Sequence, residues 1–309
     1  MKNYWEKLAL VLQEEPLFFA IVGENTAHSP GTAGARMFAT KTQSWGTIGG
    51  GIMEFELLNR GRALLEKDEE VFFLERRIHR EGAGDFASGL FCAGEQWLIF
   101  GIIKNINIIG RFTNSSGDGL LKIEPSGLTT HSPSSIGVRY KGLVKTDIDA
   151  WCYEELFFNP KRIAIVGGGH CGLALSRVMH QLGFYVSVFD IRETTTFLRI
   201  DCADERKIVN SYKDIGKHIA QPETTHVVIM SADVGSDVEA LSSLDAPYPY
   251  IGLMGSPAKI AKIKKNISPE LFSRLSAPIG MPIGSHTPEE IAISIAAEII
   301  SLASASKVP

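Results

Sequence analysis

The sequence predicts an α/β protein whose second half is a Rossmann-type parallel sheet and whose first half mixes short strands with helix. Three observations carry this. After Pro160, continuous apolar runs alternate with helix-length segments, the pattern of strands buried on both faces and joined by crossover helices. The first such run, Ile163–Val166, leads directly into Gly167-Gly-Gly-His-Cys-Gly172. An acid, Asp190, closes the second run about 18 residues beyond Gly172, near the spacing of a dinucleotide-binding fingerprint.

Taken in order, Met1–Glu15 alternates charged and apolar residues at helical spacing, with Trp5, Leu8 and Leu12 on one side, and predicts a surface helix without the form of a signal peptide. Strands are expected at Leu17–Val22, Ala35–Ala39, Val71–Leu74 and Gln96–Ile103, and one helix from about Ile52 to Lys67, directly after Gly49, Gly50 and Gly51. From Lys104 to Asp149 the pattern weakens; Asn114–Gly119 and His131–Ser135 read as turns or loops with room for short strands between them. Further on, strands are expected at Arg162–Val166, Tyr185–Phe189, His226–Met230 and Tyr250–Leu253, and a helix at Cys171–Leu182. The last helix has a clear start: Thr287 as cap, Pro288 at its first position and Glu290 completing a capping box. Ile291–Leu302 is apolar on most sides, so this helix is expected to be buried in its domain or in a subunit interface. The change of pattern divides the chain into two domains, 1–150 and 151–309.

Composition narrows the function classes. A net charge of −4 without a basic stripe disfavours nucleic acid, and Lys259, Lys262, Lys264 and Lys265 are spaced as the wet side of one helix. The longest apolar run, Trp97–Ile103, is far short of the roughly 20 residues that a spanning helix needs. Cys92, Cys152, Cys171 and Cys202 are widely spaced and form no C-x-x-C pair, which argues against a zinc ribbon or disulfide framework. A cytoplasmic protein without a bound metal is expected.

The chemistry-bearing residues cluster at glycine turns. Gly167, Gly169 and Gly172 occupy the three positions of G-x-G-x-x-G: the first permits the turn, the second lets a phosphate approach the backbone, and the third allows close helix–strand packing. The helix N-terminus that follows favours an anion. Asp190 is placed to accept from a ribose and to repel a 2′-phosphate, so NADP is the less expected nucleotide, although Arg192 stands close by. His170 can donate to a phosphate, ligate a metal or cap the turn; Cys171, in the first helical turn, is either a thiolate favoured by the dipole or a small packing residue. Gly49–Gly51 implies unusual backbone angles or close ligand approach, with Glu54 complementing the helix dipole or bonding a heterocycle. Arg36 is a salt-bridge partner or an anion holder, and Cys92 a reactive thiol or a small buried hydrophobe. Gly255 and Ser256 lie in a strand-to-helix turn at the sheet edge where ligands of open α/β sheets bind.

These stretches resemble the XdhC/CoxI family of molybdenum-cofactor chaperones that mature xanthine dehydrogenase-type molybdoenzymes. The likeness is carried by Ser29–Met37, Gly46–Glu54, Gly167–Gly172 with Asp190 and Arg192, Ile251–Lys259, and Pro278–Glu290 running into Ala292–Glu298. The resemblance implies an N-terminal α+β XdhC-like domain, a C-terminal Rossmann domain and a homodimer. It implies binding of molybdopterin cofactor in its monophosphate or dinucleotide form, protection during sulfuration by a cysteine desulfurase, and delivery to an apo-molybdoenzyme. It also makes Cys92 a candidate thiol facing the cofactor. The chain departs from the family at Ala93, at Ala232, where an imidazole is usual, and at Pro257, where arginine is frequent. An accessory chaperone is thus expected rather than a catalyst. The alternatives are an NAD-dependent oxidoreductase, for which no separate proton-transfer set is visible, and a partner-binding scaffold with a vestigial site.

Overall fold

The computed structural model describes residues 2–67, 72–79, 94–104, 120–131, 141–156 and 161–305. The chain divides into two units, Lys2–Phe158 and Asn159–Pro309. The division falls eight residues beyond the expected 150 because Trp151–Leu156 is a strand of the first unit, hydrogen-bonded on both sides within it.

In the first unit, β1 (Leu17–Asn25) is central. It lies in an antiparallel sheet of order β3-β2-β1-β5-β4, with β2 at Arg36–Ala39, β3 at Ser44–Gly46, β4 at Phe72–Ile78 and β5 at Glu95–Ile103. A second antiparallel sheet has the order β7-β6-β9-β8, with β6 at Leu120–Glu124, β7 at Gly127–His131, β8 at Lys141–Lys145 and β9 at Trp151–Leu156. Both faces of β1 are covered, which is why Leu17–Val22 is continuously apolar rather than alternating. Leu17, Phe19 and Ile21 pack with Leu8 and Leu12 of helix α1 (Lys2–Glu14) and with Ile123, Trp151 and Tyr153 of the second sheet. Phe18, Ala20 and Val22 pack with Met53, Leu57 and Leu65 of helix α2 (Gly51–Leu65). The short strands expected between two loops are thus β6 and β7, and β3 is an edge strand too short to show a pattern.

The second unit is a six-stranded parallel sheet of order β12-β11-β10-β13-β14-β15. Its strands are β10 (Arg162–Val166), β11 (Tyr185–Asp190), β12 (Glu205–Ile208), β13 (Thr225–Ile229), β14 (Tyr250–Leu253) and β15 (Leu275–Ser276). Counted within the unit the order is 3-2-1-4-5-6, the doubly wound arrangement whose switch point lies between its first and fourth strands. Helices cover both faces. α3 (His170–Gln181) and α9 (Pro288–Ala305) pack on one through Leu173, Ala174, Ala292, Ile295, Ala296 and Ile299. α6 (Val234–Ser242) and α7 (Pro257–Lys264) pack on the other through Ala240, Leu241, Ile260 and Ile263. The remaining short helices are α4 (Thr195–Leu198), α5 (Ile215–His218) and α8 (Pro269–Ser273).

The capping box of α9 forms: the Glu290 N–H reaches the Thr287 hydroxyl, and Glu290 Oε2 accepts from the amides of Thr287 and His286. Its burial within the unit is one-sided: Ala292, Ile295 and Ile299 are enclosed, whereas Ile293 is 55% exposed and Ile300 46%. α9 also carries Glu298, whose carboxylate accepts from the Tyr250 hydroxyl on β14, the Ser276 hydroxyl on β15 and the Gly280 N–H. One acid thereby holds the sheet edge and the Pro278–Gly284 segment to the helix. Glu298→Ala should cost about 2–3 kcal/mol, because three donors lose a charged acceptor at once. Urea unfolding followed by far-UV circular dichroism would check it, and Glu298→Gln should recover part of the loss.

Candidate functional site

The Gly167–Gly172 turn sits at the carboxyl edge of the sheet, at the switch point between β10 and β13. Gly167 has φ +118°, and a side chain there would come within 2.6 Å of the Met230 carbonyl oxygen. At Gly172 an added Cβ would stand 2.2 Å from the Gly167 carbonyl oxygen, so the start of α3 lies directly on the turn. Gly169 differs from both. Its φ is −76°, any residue could adopt it, and nothing lies within 4 Å of where its Cβ would be. It is exposed, as is His170, and no side chain caps α3. The backbone is therefore bare where the sequence expects a phosphate to approach.

Asp190, expected to face a ribose, is instead 1% exposed. Its Oδ2 accepts the Gly168 N–H at 2.7 Å and its Oδ1 the Arg192 N–H at 2.9 Å. Burial and the Asp190 charge push the Tyr212 hydroxyl well above its ordinary range. The Arg192 side chain, 56% exposed, also pairs with this carboxylate, its Nε 3.5 Å from Asp190 Oδ1. Cys171 is half-buried; burial first, then the Glu289 carboxylate, pushes its thiol up, so of its two readings the small packing residue is the one the surroundings favour.

Along the same edge the structure assembles a cluster that the sequence did not reveal. Asp237 of α6 is fully buried, and its Oδ2 lies 2.6 Å from Lys259 Nζ of α7, while its Oδ1 accepts from the amide and hydroxyl of Ser231. Lys259 also donates to the Ser231 carbonyl oxygen at 2.9 Å. Burial pushes the Asp237 carboxyl up, against the opposing effect of Lys259 and Ser231. Ser256 caps α7 by accepting the Lys259 N–H, and Gly255 lies against the Lys259 side chain. A lysine in a strand-to-helix turn reads as surface charge, and only its partner 22 positions upstream makes it a buried ion pair.

In the first unit, Gly49, Gly50 and Gly51 have φ of +128°, +77° and +73°, so unusual backbone angles account for the triplet. Glu54 Oε2 accepts from the Thr47 hydroxyl at 2.6 Å and from the Ile48 and Gly50 amides at 3.0 Å, which folds this loop onto the start of α2. Arg36 is 9% exposed and pairs Glu155 at 2.6 Å, and the Tyr153 hydroxyl donates to the other oxygen of Glu155. The anion that Arg36 holds here is thus a carboxylate of its own unit. Gln96, fully buried, donates its amide to the carbonyl oxygens of Gly31 and Ile48 and so clasps both glycine loops. With both its amide hydrogens used, its Oε1 must accept from His79 Nε2, 3.0 Å away, which fixes the His79 tautomer. Cys92 lies outside the described residues. Among the described residues no group of three or more His, Cys, Asp or Glu could hold a metal ion, and no helix is long and apolar enough to cross a membrane.

A doubly wound parallel sheet with a glycine turn at its switch point defines a Rossmann-type protein, here joined to a two-sheet antiparallel unit. The chain belongs to the XdhC and CoxI family. Residues 163–299 match the XdhC Rossmann domain and residues 10–76 the XdhC and CoxI family proper. The chain is also 32% identical over 157 residues to the uncharacterized protein YqeB of Escherichia coli (strain K12), a match taking in 46% of this chain and 27% of that one. It therefore spans about a quarter of that relative's length. Among solved structures it is similar to a Bacillus halodurans protein described as a xanthine dehydrogenase, with a TM-score of 0.77, 22% identity, and coverage of 98% of this chain and 96% of the other. That likeness shows a shared fold across both units.

The His79–Gln96 clasp makes the first unit acid-sensitive. Burial lowers the His79 pKa below its ordinary 6.5. The unfolded chain therefore takes up this proton first, so stability is full above about pH 6.5 and falls as the pH drops through that value toward the lower folded one. Urea midpoints measured between pH 7.5 and 5 should fall in the wild type and fall less in His79→Gln, which cannot titrate.

Proposed function

We propose that the protein binds molybdopterin cofactor on the Gly167–Gly172 turn, shields it during sulfuration by a cysteine desulfurase, and delivers it to an apo-molybdoenzyme of the xanthine dehydrogenase type. On this reading it is a maturation chaperone, working in the cytoplasm as a homodimer, rather than a catalyst. Family membership supports the maturation role. The observation that carries the ligand site is Gly169, a glycine that neither backbone angle nor packing requires, beside an uncapped helix N-terminus. The terminal phosphate of molybdopterin, or the diphosphate of its dinucleotide form, fits that cradle, since backbone amides and the helix dipole both favour an anion. When bound, the cofactor supplies the molybdenum centre that the client enzyme uses.

The chain's own residues bind and orient. The amides at the start of α3 take the phosphate, and His170, exposed at the first helical position, donates from its ring. Gly255 and Ser256 border the same sheet edge, and the Lys259–Asp237 pair holds the Ser231 end of β13 in place. Cys92 is proposed as the thiol that meets the sulfurated centre, a soft ligand suited to molybdenum and sulfur. The rival, an NAD-dependent oxidoreductase, is weakened by Asp190, whose carboxylate is turned into the protein rather than toward a ribose.

Two outcomes check this. Gly169→Val places carbon in the open cradle; the variant should stay folded, losing about 1 kcal/mol from the poorer cap, while pterin co-purified with the wild type disappears from it on fluorescence analysis. Retention of pterin by the folded variant refutes the site. Cys92→Ser should keep bound pterin phosphate yet lose activation of an apo-molybdoenzyme, and full activation by that variant removes Cys92 from the mechanism.

A further inference from the structure

On the β14 side of the phosphate turn, the carboxyl edge of the sheet carries small residues and one ammonium group. Ser231 and Ala232 follow β13, and Gly255 and Ser256 follow β14. The Ser231 nitrogen lies 3.2 Å from where a Cβ of Gly167 would stand, so this edge adjoins the turn directly. Lys259 Nζ reaches into it from the start of α7, held by Asp237 Oδ2 at 2.6 Å and by the Ser231 carbonyl oxygen at 2.9 Å. An ammonium carries three hydrogens, and these partners use two of them. The Lys259 side chain keeps 19% of its surface open, and its stem lies against Gly255.

Stability does not account for this arrangement. Asp237 is fully buried, and burial works against its charge. An apolar pair of similar volume would join α6 to α7 at least as well, because two charges taken out of water recover little by pairing. What an apolar pair lacks is a donor fixed in direction at the sheet edge.

We infer that Lys259 is a second ligand contact, whose third N–H takes a soft, delocalised anion on the body of a molecule whose phosphate lies on Gly167–Gly172. The inference rests on the reading that molybdopterin phosphate occupies that turn, and it names the group of the same molecule that Lys259 meets, the dithiolene sulfurs. The ligand body then runs across the end of β13 toward β14, where the small side chains of Ser231 and Ala232 leave room for it. Asp237 offsets much of the ammonium charge, so the position suits charge spread over two sulfurs better than the concentrated charge of a phosphate. Asp237 and Ser231 act as positioning residues: Oδ1 of the acid accepts from the Ser231 amide and hydroxyl, which leaves Oδ2 to aim the Lys259 Nζ.

The test uses the full chain and two phosphate-bearing pterins, metal-free molybdopterin kept from oxygen and the sulfur-free phosphate ester of 6-hydroxymethylpterin. Both are titrated by fluorescence into wild type, Gly169→Val and the double variant Asp237→Asn with Lys259→Met, which leaves no buried charge unpaired. The wild type should bind molybdopterin about tenfold more tightly than the ester, as expected for one charged hydrogen-bonding partner. The double variant should bring that ratio near one while its affinity for the ester is kept, and Gly169→Val should lose both probes. An unchanged ratio in the folded double variant, equal wild-type affinities, or loss of both probes from the double variant would overturn the contact by Lys259 and leave the phosphate turn standing. Binding of neither probe by the wild type, or binding that survives Gly169→Val, overturns the inference together with the phosphate site beneath it. Should circular dichroism show the double variant unfolded, Asp237→Leu with Lys259→Met takes its place and is read in the same way.

Discussion

The closeness of the first turn of α3 to the strand that precedes it governs the second unit. With 2.2 Å between the Gly167 carbonyl oxygen and the place of a Cβ at Gly172, the helix can lie on the turn only without a side chain there. The Gly167 backbone must in turn leave β10 at positive φ, pressed against the end of β13. This geometry aims the helix start at the switch point of the sheet and leaves the amides after Gly169 uncovered. The Asp190 bonds, the Phe197 ring against Gly168 and the Lys259–Asp237 pair then hold the surrounding loops in the position the turn sets.

The first unit meets a similar demand differently. Its two glycine loops are drawn together by a buried amide, Gln96, which satisfies carbonyls from both, and by Glu54, which gathers the donors of its own loop. Buried polar groups of this kind stabilise only when every member finds a partner. The apolar walls on both faces of β1 exclude water and so make these few bonds decisive.

Much of this was legible in the sequence wherever a local rule applies. The buried parallel strands, the three glycine positions and the Thr287–Glu290 box depend on residues within a few positions of one another, and they form as expected. Pairings between distant residues carry no such signal. Arg36 meets Glu155 across 119 positions, Gln96 reaches Gly31 across 65, and Lys259 finds Asp237 only because α6 and α7 pack side by side. Asp190 shows the subtler limit: its place at a strand end was evident, but whether its carboxylate faced ligand or protein depended on the amide it bonds. β12 and β15 are edge strands with little apolar pattern of their own, and they are strands because a neighbour supplies the ladder.

The anchoring of the sheet edge by Glu298 has a consequence for how the chain acquires its fold. The groups it joins lie 48, 22 and 18 positions earlier, so β14 and β15 leave the ribosome well before the acid that secures them. At ordinary synthesis rates the lag from Tyr250 to Glu298 is roughly two to ten seconds, during which the edge strands lack the acid that joins them to α9. Such an edge is a template for pairing with other chains. Translation speed through this stretch, and any factor that shelters the nascent strand, therefore bear on the yield of folded protein as directly as the stability of the finished structure does.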